Sequence, residues 1–234
     1  MNIIWLGHAS FRIEIEDQVL LIDPWLTGNP SFEGHDRSQA IKSSTAILVT
    51  HAHGDHASQA EEIAKELAIP IACISELGDI WEMAGAKTIG FNKGGTIALG
   101  KVPVTMVDAV HSSTMDFKGG MSPAGAEAGY MISGEGHTIY VSGDTDVTSD
   151  MAIWHELHQP DIGILNCGGH YTMDMKRAAF AARKFFSFDT VIPSHYRTFP
   201  LLAQNADELR AGLPGVKVVE PEVMRPIGFA PKTA

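Results

Sequence analysis

The stretch His51-Ala52-His53-Gly54-Asp55-His56 places three imidazoles and a carboxylate within six residues. An apolar run at 46–49 precedes it and reads as a short buried strand. Apolar residues at helical spacing follow it (Ala60, Ile63, Ala64, Leu67), so a helix is expected over 59–67. The cluster therefore falls between the carboxyl end of a strand and a helix, where ligands sit in sheets built from such units. In an extended segment alternate side chains share a face, so His51 and His53 point the same way. Gly54 then permits a sharp turn that aims Asp55 and His56 at a neighbouring point. Neutral imidazoles and carboxylates are good zinc ligands, and a catalytic zinc keeps about three protein ligands and an open position. Four candidates in six residues thus suggest two ions, with further ligands supplied from elsewhere.

Three such residues stand at the ends of other strand-like runs. His111 follows the run at 104–110, Asp144 follows 139–143, and His195 follows 191–194. The remaining pattern is a mixture of two kinds. Runs at 2–6, 11–15 and 19–22 are joined by short polar links and suggest antiparallel hairpins. A strand is expected at 71–74 and a helix at 77–83. Runs at 96–99 and 102–110, and at 128–132 and 138–141, form two further hairpins. The second half alternates helices (149–157, 175–185, 206–211) with strands (162–165, 190–192, 216–219). Hairpins combined with strand–helix units imply layered sheets with helices outside. The segments 27–44 and 112–126 are polar, contain glycine and read as long loops, which often serve as lids or binding loops.

The composition limits the function classes. The chain has 234 residues, 44% of them hydrophobic, and one domain over 1–234 is the expectation. A formal net charge of -11 disfavours binding of nucleic acid through a basic face. No run of about 18 apolar residues suggests a membrane span. No secretory signal pattern opens the chain, so a cytoplasmic location is the expectation. Cys73 and Cys167 lie in apolar strand-like runs and read as reduced, buried thiols rather than a disulfide framework.

The motif at 51–56, taken with His111, Asp144 and His195 in order, resembles the metallo-β-lactamase superfamily. Trp5-Leu6-Gly7-His8-Ala9-Ser10-Phe11, Leu21-Ile22-Asp23-Pro24, Ser142-Gly143-Asp144-Thr145 and Ser194-His195-Tyr196-Arg197-Thr198-Phe199-Pro200 sharpen the likeness. They are similar to the branch of small metal-dependent hydrolases that itself resembles L-ascorbate-6-phosphate lactonase. The resemblance implies an α/β fold, a four-layer αββα sandwich with the site at one edge. It puts His51, His53 and His111 on one divalent ion and Asp55, His56 and His195 on a second, with Asp144 bridging. Zinc is the default metal, and manganese or iron also suit five imidazoles and two carboxylates. Two divalent ions, two aspartates and a hydroxide leave the site near +1. The implied reaction is attack of hydroxide, formed on the metals at neutral pH, on an ester, lactone or phosphoester bond of a small polar substrate. Asp55 is the candidate proton shuttle to the leaving group. Related lactonases associate, so a homo-oligomer is compatible with the resemblance.

Other residues carry weaker signals. An acid at the place of Asp23 commonly supports a metal-bound histidine in this family, and such supports fix imidazole orientation; a turn-capping aspartate is the alternative. The resemblance places His8 near the site as a substrate contact or support, with a surface histidine bonded to backbone as its alternative. His170, after Gly168-Gly169 and before a helix start, is a candidate substrate contact, with a surface turn residue as its alternative. Asp174 reads as the acid at that helix start. Arg197 could pair with a substrate carboxylate or phosphate, or with a surface acid. His35, His137, His155 and His158 read as structural or solvated. Two other function classes share the ligand set. A diiron redox protein would reveal itself by iron content and oxygen consumption, and a non-catalytic metal-binding module by failure to hydrolyse any substrate.

Overall fold

The computed structural model describes residues 1–117 and 119–232. The chain opens with a three-strand antiparallel meander: β1 (Asn2–Trp5), β2 (Phe11–Ile15) and β3 (Gln18–Ile22). Burial alternates along β2, with Phe11, Ile13 and Ile15 inside. Arg12 and Glu14 pair at 2.8 Å on the other face. This period-two pattern is that of a sheet with one face packed and one wet. Helix α1 (Arg37–Ile41) leads to β4 (Ala46–Leu48), helices α2 (Gly54–Ala57) and α3 (Ala60–Leu67) lead to β5 (Ile71–Ile74), and α4 (Ser75–Met83) leads to β6 (Thr88–Phe91). β3, β4, β5 and β6 are parallel neighbours.

The second half repeats this order. β7 (Thr96–Leu99), β8 (Val102–Asp108), β11 (Ala128–Gly134) and β12 (His137–Val141) are antiparallel neighbours; the ribbon β9 (Thr114–Phe117) and β10 (Gly120–Pro123) projects between β8 and β11. Helices α5 (Met151–His158), α6 (Met175–Phe185) and α7 (Asp207–Gly212) then connect the parallel strands β12, β13 (Ile162–Asn166), β14 (Thr190–Ser194) and β15 (Lys217–Val218). Every residue of β13 and β14 is buried, as expected for parallel strands covered on both faces. A last strand, β16 (Pro226–Gly228), returns to the edge of the first sheet beside β1. The two seven-stranded sheets run β16-β1-β2-β3-β4-β5-β6 and β15-β14-β13-β12-β11-β8-β7.

The sheets face each other, with helices outside, in an αββα sandwich. Phe91 of β6 stacks on Tyr130 of β11 at 6.0 Å between ring centres. A Cβ on Gly134 of β11 would stand 2.8 Å from Ile15 of β2, so that glycine allows the sheets to close. Buried side chains from both sheets form one continuous core. On the outside, Ala179 of α6 would lie 2.6 Å from a Cβ on Gly212, which lets α7 pack closely on α6. Among the described residues, no helix is long and apolar enough to cross a membrane.

Several elements differ from the sequence expectation. The segment 27–44 contains α1, and 112–126 contains the β9–β10 ribbon; Lys118, within that expected loop, lies outside the described residues. β6 and β16 were not expected. Gly54 makes no left-handed turn. It is the first residue of α2, with His53 as the N-cap residue, and the start of that helix redirects the chain.

The topology decides where the site lies. β1, β3 and β4 point one way in the first sheet, and β8, β12, β13 and β14 point one way in the second. The carboxyl ends of each set share one edge. The sheets are joined near that edge by the Tyr130 hydroxyl, which donates to the Val49 carbonyl at 2.5 Å in a buried position. Tyr130→Phe leaves that carbonyl unpaired, so it should cost about 1–3 kcal/mol. Urea unfolding checks this: the midpoint falls while the slope stays unchanged.

Candidate metal centre

Residues 49–52 are pinned from several directions. The backbone N–H of Thr50 donates to Asp23 Oδ1 at 2.7 Å, that of Ala128 donates to the Thr50 carbonyl at 2.9 Å, and that of Ala52 donates to Ser113 Oγ at 3.2 Å. His51 and His53 then face one point, with Nε2 of one 3.0 Å from Nδ1 of the other. α2 carries Asp55 and His56 toward a second point. His111 enters from the end of β8, its N–H held by Glu127 Oε1 at 2.9 Å. Asp144 follows β12, where Gly143 (φ +59°) leaves no space for a Cβ against the Ala128 carbonyl, 2.5 Å away. His195 follows β14, with its N–H bonded to the His8 carbonyl at 3.0 Å.

Asp144 lies at the centre. Its Oδ2 stands 3.9 Å from His51 Nε2, 3.3 Å from His56 Nε2, 3.6 Å from His111 Nε2 and 3.1 Å from His195 Nε2. Asp55 Oδ2 lies 3.8 Å from His56 Nε2 and 3.5 Å from His195 Nε2. Two ligand atoms on one tetrahedral ion with bonds of 2.0–2.2 Å are separated by about 3.4 Å. The spacing of the donors therefore fits shared ions. His56 Nε2 and Asp144 Oδ1 are buried without a hydrogen-bond partner, which is costly unless something else occupies them. The donor atoms fall into overlapping groups: His51, His53 and His111; His51, His56 and Asp144; and His8, Asp55, His56 and His195. All seven residues expected as ligands are thus brought together.

The supports are equally ordered. Asp23 is buried and receives His56 Nδ1–H on Oδ2 at 2.8 Å, so that once the ring gives up its second proton the lone pair is on Nε2. The Thr50 hydroxyl donates to the same oxygen at 2.6 Å and accepts from His51 Nδ1–H at 3.0 Å. One carboxylate thereby orients two imidazoles, as the sequence suggested for Asp23. His8 lies within the protein and does not line the cavity, so it is not placed to touch substrate. Its Nε2–H donates to Asp55 Oδ2 at 2.9 Å, and its Nδ1 lies 2.8 Å from the Thr198 hydroxyl. Burial, outweighing the Asp55 contact, lowers the His8 pKa to about 4, so the ring is neutral. Thr50, Glu127, Ser113 and Thr198 were not singled out from the sequence.

The charges are strongly coupled. Burial opposes a charge on His195, yet Asp144 and the hydrogen bonds to Asp144 and Asp55 raise its pKa to about 9. His56 is likewise raised well above 6.5 by Asp144, Asp55 and Asp23 against the effect of burial. Burial and like charges lower His51, His53 and His111, although Asp144 partly opposes this. Burial would raise Asp55 and Asp144, but the surrounding imidazoles hold both carboxyls below the ordinary range. Backbone strain gathers here too. His8, Asp23 and His195 all take left-handed φ values of +53°, +45° and +55°. Such residues persist where the surroundings over-determine them, commonly at functional sites.

A cavity of about 460 Å³ opens over the cluster, lined by Trp25, His53, Asp55, His111, Ser112, Asp144, Tyr171, His195 and Phe199. His170 is outside it. Left-handed φ at Gly169 (+75°) and His170 (+61°) turns the chain so that Tyr171 lines the cavity and His170 is exposed. The N-terminal end of α6 is closed by its own cap, Asp174 Oδ1 accepting Arg177 N–H at 2.8 Å. The Arg197 guanidinium lies over the rings of Trp5 and Tyr196, at 5.5 and 5.7 Å, and is not part of the cavity wall.

The comparisons with known proteins agree with this architecture. The pattern of the beta-lactamase superfamily domain matches residues 18–196. A UPF0173 metal-dependent hydrolase of Dinoroseobacter shibae is 61% identical over 97% of this chain and 99% of its own. One from Paracoccus denitrificans is 60% identical with the same coverage. The solved structure of a metallo hydrolase from the archaeon Ignicoccus hospitalis is 30% identical, with a TM-score of 0.83 over 97% of this chain and 98% of that one. The chain belongs to the metallo-β-lactamase superfamily, among its UPF0173 metal-dependent hydrolases.

Proposed function

We propose that the chain is a dinuclear hydrolase acting on an ester, lactone or phosphoester bond of a small molecule. His51, His53 and His111 would hold one divalent ion and Asp55, His56 and His195 the other, with Asp144 available to both. Zinc is the favoured metal. The observation that carries this reading is the position of Asp144 Oδ2, within 4 Å of imidazole nitrogens delivered by the ends of three different strands and by α2. When bound, such ions acidify a coordinated water toward a pKa of about 7 and polarise a substrate carbonyl or phosphoryl oxygen.

The chain's own residues set the geometry and move the proton. Asp23 fixes His56 directly and His51 through Thr50. His8, backed by Thr198, fixes Asp55. Asp55 Oδ2 takes the contacts to His8 and His195, while Oδ1 accepts no hydrogen bond among the described residues. That oxygen, on the cavity wall, is the candidate carrier of a proton to the leaving group. His170 receives no role.

Metal analysis of the purified protein, followed by an ester, lactone and phosphodiester screen of the same sample, tests the function. Turnover should disappear with a chelator and return with zinc. Metal-loaded protein that hydrolyses nothing counts against it. For Asp55→Asn at full metal occupancy, loss of the shuttle should lower kcat about 100-fold. Unchanged turnover would remove the shuttle role.

Asp23→Asn should weaken metal binding about 10- to 100-fold, read by competition with a chelating dye, although Asp23 touches no ion. The raised His195 supplies a pH test. Metal binds the neutral ring, so a proton must leave whenever metal binds below pH 9. The stabilisation its charged form gives the metal-free protein is complete below the unfolded pKa near 6.5 and fades as pH rises through about 9. Proton release on metal binding should accordingly fall by about one as pH rises through that value. Calorimetry in buffers of differing ionisation enthalpy measures this, and a flat profile would contradict it.

A further inference from the structure

The metal centre opens onto two chambers. The first is the cavity above it, where Trp25 and Phe199 stack at 6.1 Å between ring centres and Tyr171 stands at the rim. The second, of about 570 Å³, lies toward the β9–β10 ribbon. Trp81, Met115 and Met121 supply its apolar surface, and Asp116 and Glu61 its charge. His53 and Asp55 belong to the walls of both, so the chambers meet beside the metal centre. Tyr171 is 56% exposed and Met121 70% exposed, so each leaves apolar surface in water that a bound molecule would cover.

Among the described residues, neither wall contains a lysine or arginine. Lys65 Nζ is held by Glu61 at 2.6 Å and by the Ala84 carbonyl, and Arg197 is turned over Trp5 and Tyr196. Asp23, directly bonded to His56, adds a buried negative charge and brings the loaded centre close to neutral. Among the described residues of either wall, an anionic group away from the metals would lose its water without gaining a cation, and in the second chamber it would meet Asp116.

From this two-chamber cleft we infer the substrate class: an uncharged carbonyl ester or lactone with an apolar, preferably aromatic, group on at least one side of the scissile bond, and no phosphate or carboxylate beyond it. This rests on the metal-hydrolase reading and, in place of the small polar substrate that the family resemblance implies, names one whose body is apolar. The reaction consumes one water. Its oxygen bonds to the acyl carbon, the bond from that carbon to the alkoxy oxygen breaks, and the departing oxygen takes the proton.

The test compares the affinities of three hydroxamates for the zinc-loaded protein by titration calorimetry, with no turnover required. The probes are acetohydroxamate, 5-phenylpentanohydroxamate and the latter bearing a para-carboxylate. The phenyl compound should bind about tenfold more tightly than acetohydroxamate through its buried ring. The carboxylate should cost about fivefold relative to phenyl. Met121→Glu, a change at an exposed position, should reduce the phenyl gain and leave acetohydroxamate unaffected. Binding of acetohydroxamate with no phenyl gain, or a carboxylate probe as tight as the phenyl one, overturns the substrate class and leaves the metal centre standing. Failure of all three probes to bind overturns both.

Discussion

The buried carboxylate of Asp23 is the constraint on which the centre depends. A charge removed from water must be met by donors, and here His56, the Thr50 hydroxyl and the Thr50 backbone supply them. Satisfying the carboxylate fixes the tautomer of His56 and, through Thr50, that of His51. It also ties the end of β3 to the turn after β4. Stability and site geometry therefore share the same hydrogen bonds. The left-handed backbone at Asp23 is a local cost that this arrangement offsets.

The same economy appears at the other carboxylates. Seven ionisable side chains crowd together, four of them buried, and without cations several imidazoles must carry protons to balance Asp55 and Asp144. His56 and His195 take that charge, while His51, His53 and His111 are held neutral. The one framework thus suits either protons or metal ions. Its donor atoms stay near coordination distance because the backbone and supports hold them there.

Much of this was legible in the sequence because it is local. The motif at 51–56 is dense, and His111, Asp144 and His195 each follow an apolar run. The strands with clear alternation or continuous apolar character were readable for the same reason. The supports were not. Thr198 lies 190 residues from His8, and Glu127 and Ser113 act only once distant strands are paired. Thr, Ser and Glu are too common for their types to signal such roles. β6 and β16 are short and contain Gly90 or Pro226, residues that argue against a strand until a neighbouring edge is known. For His170 the sequence left a substrate contact and a surface turn residue both open, because two glycines precede it and periodicity does not reveal which of two adjacent side chains a left-handed turn sends inward.

The repeated order of the two sheets explains why so many chemical groups converge. Counting inward from the edges β16 and β7, β1 occupies the place of β8, and β3 that of β12. His8 follows β1 and His111 follows β8; Asp23 follows β3 and Asp144 follows β12. Equivalent strand ends thus carry the same residue types at one shared mouth. The first sheet's His8 and Asp23 are withdrawn from the cavity and hold Asp55 and His56, while the second sheet's His111 and Asp144 face it. The asymmetry follows from β4, whose following turn inserts the motif at 51–56 between the first sheet's strand ends and the mouth. Once that turn is in place, the acid and imidazole behind it can reach only the ligands, and the pair from the opposite sheet completes the centre.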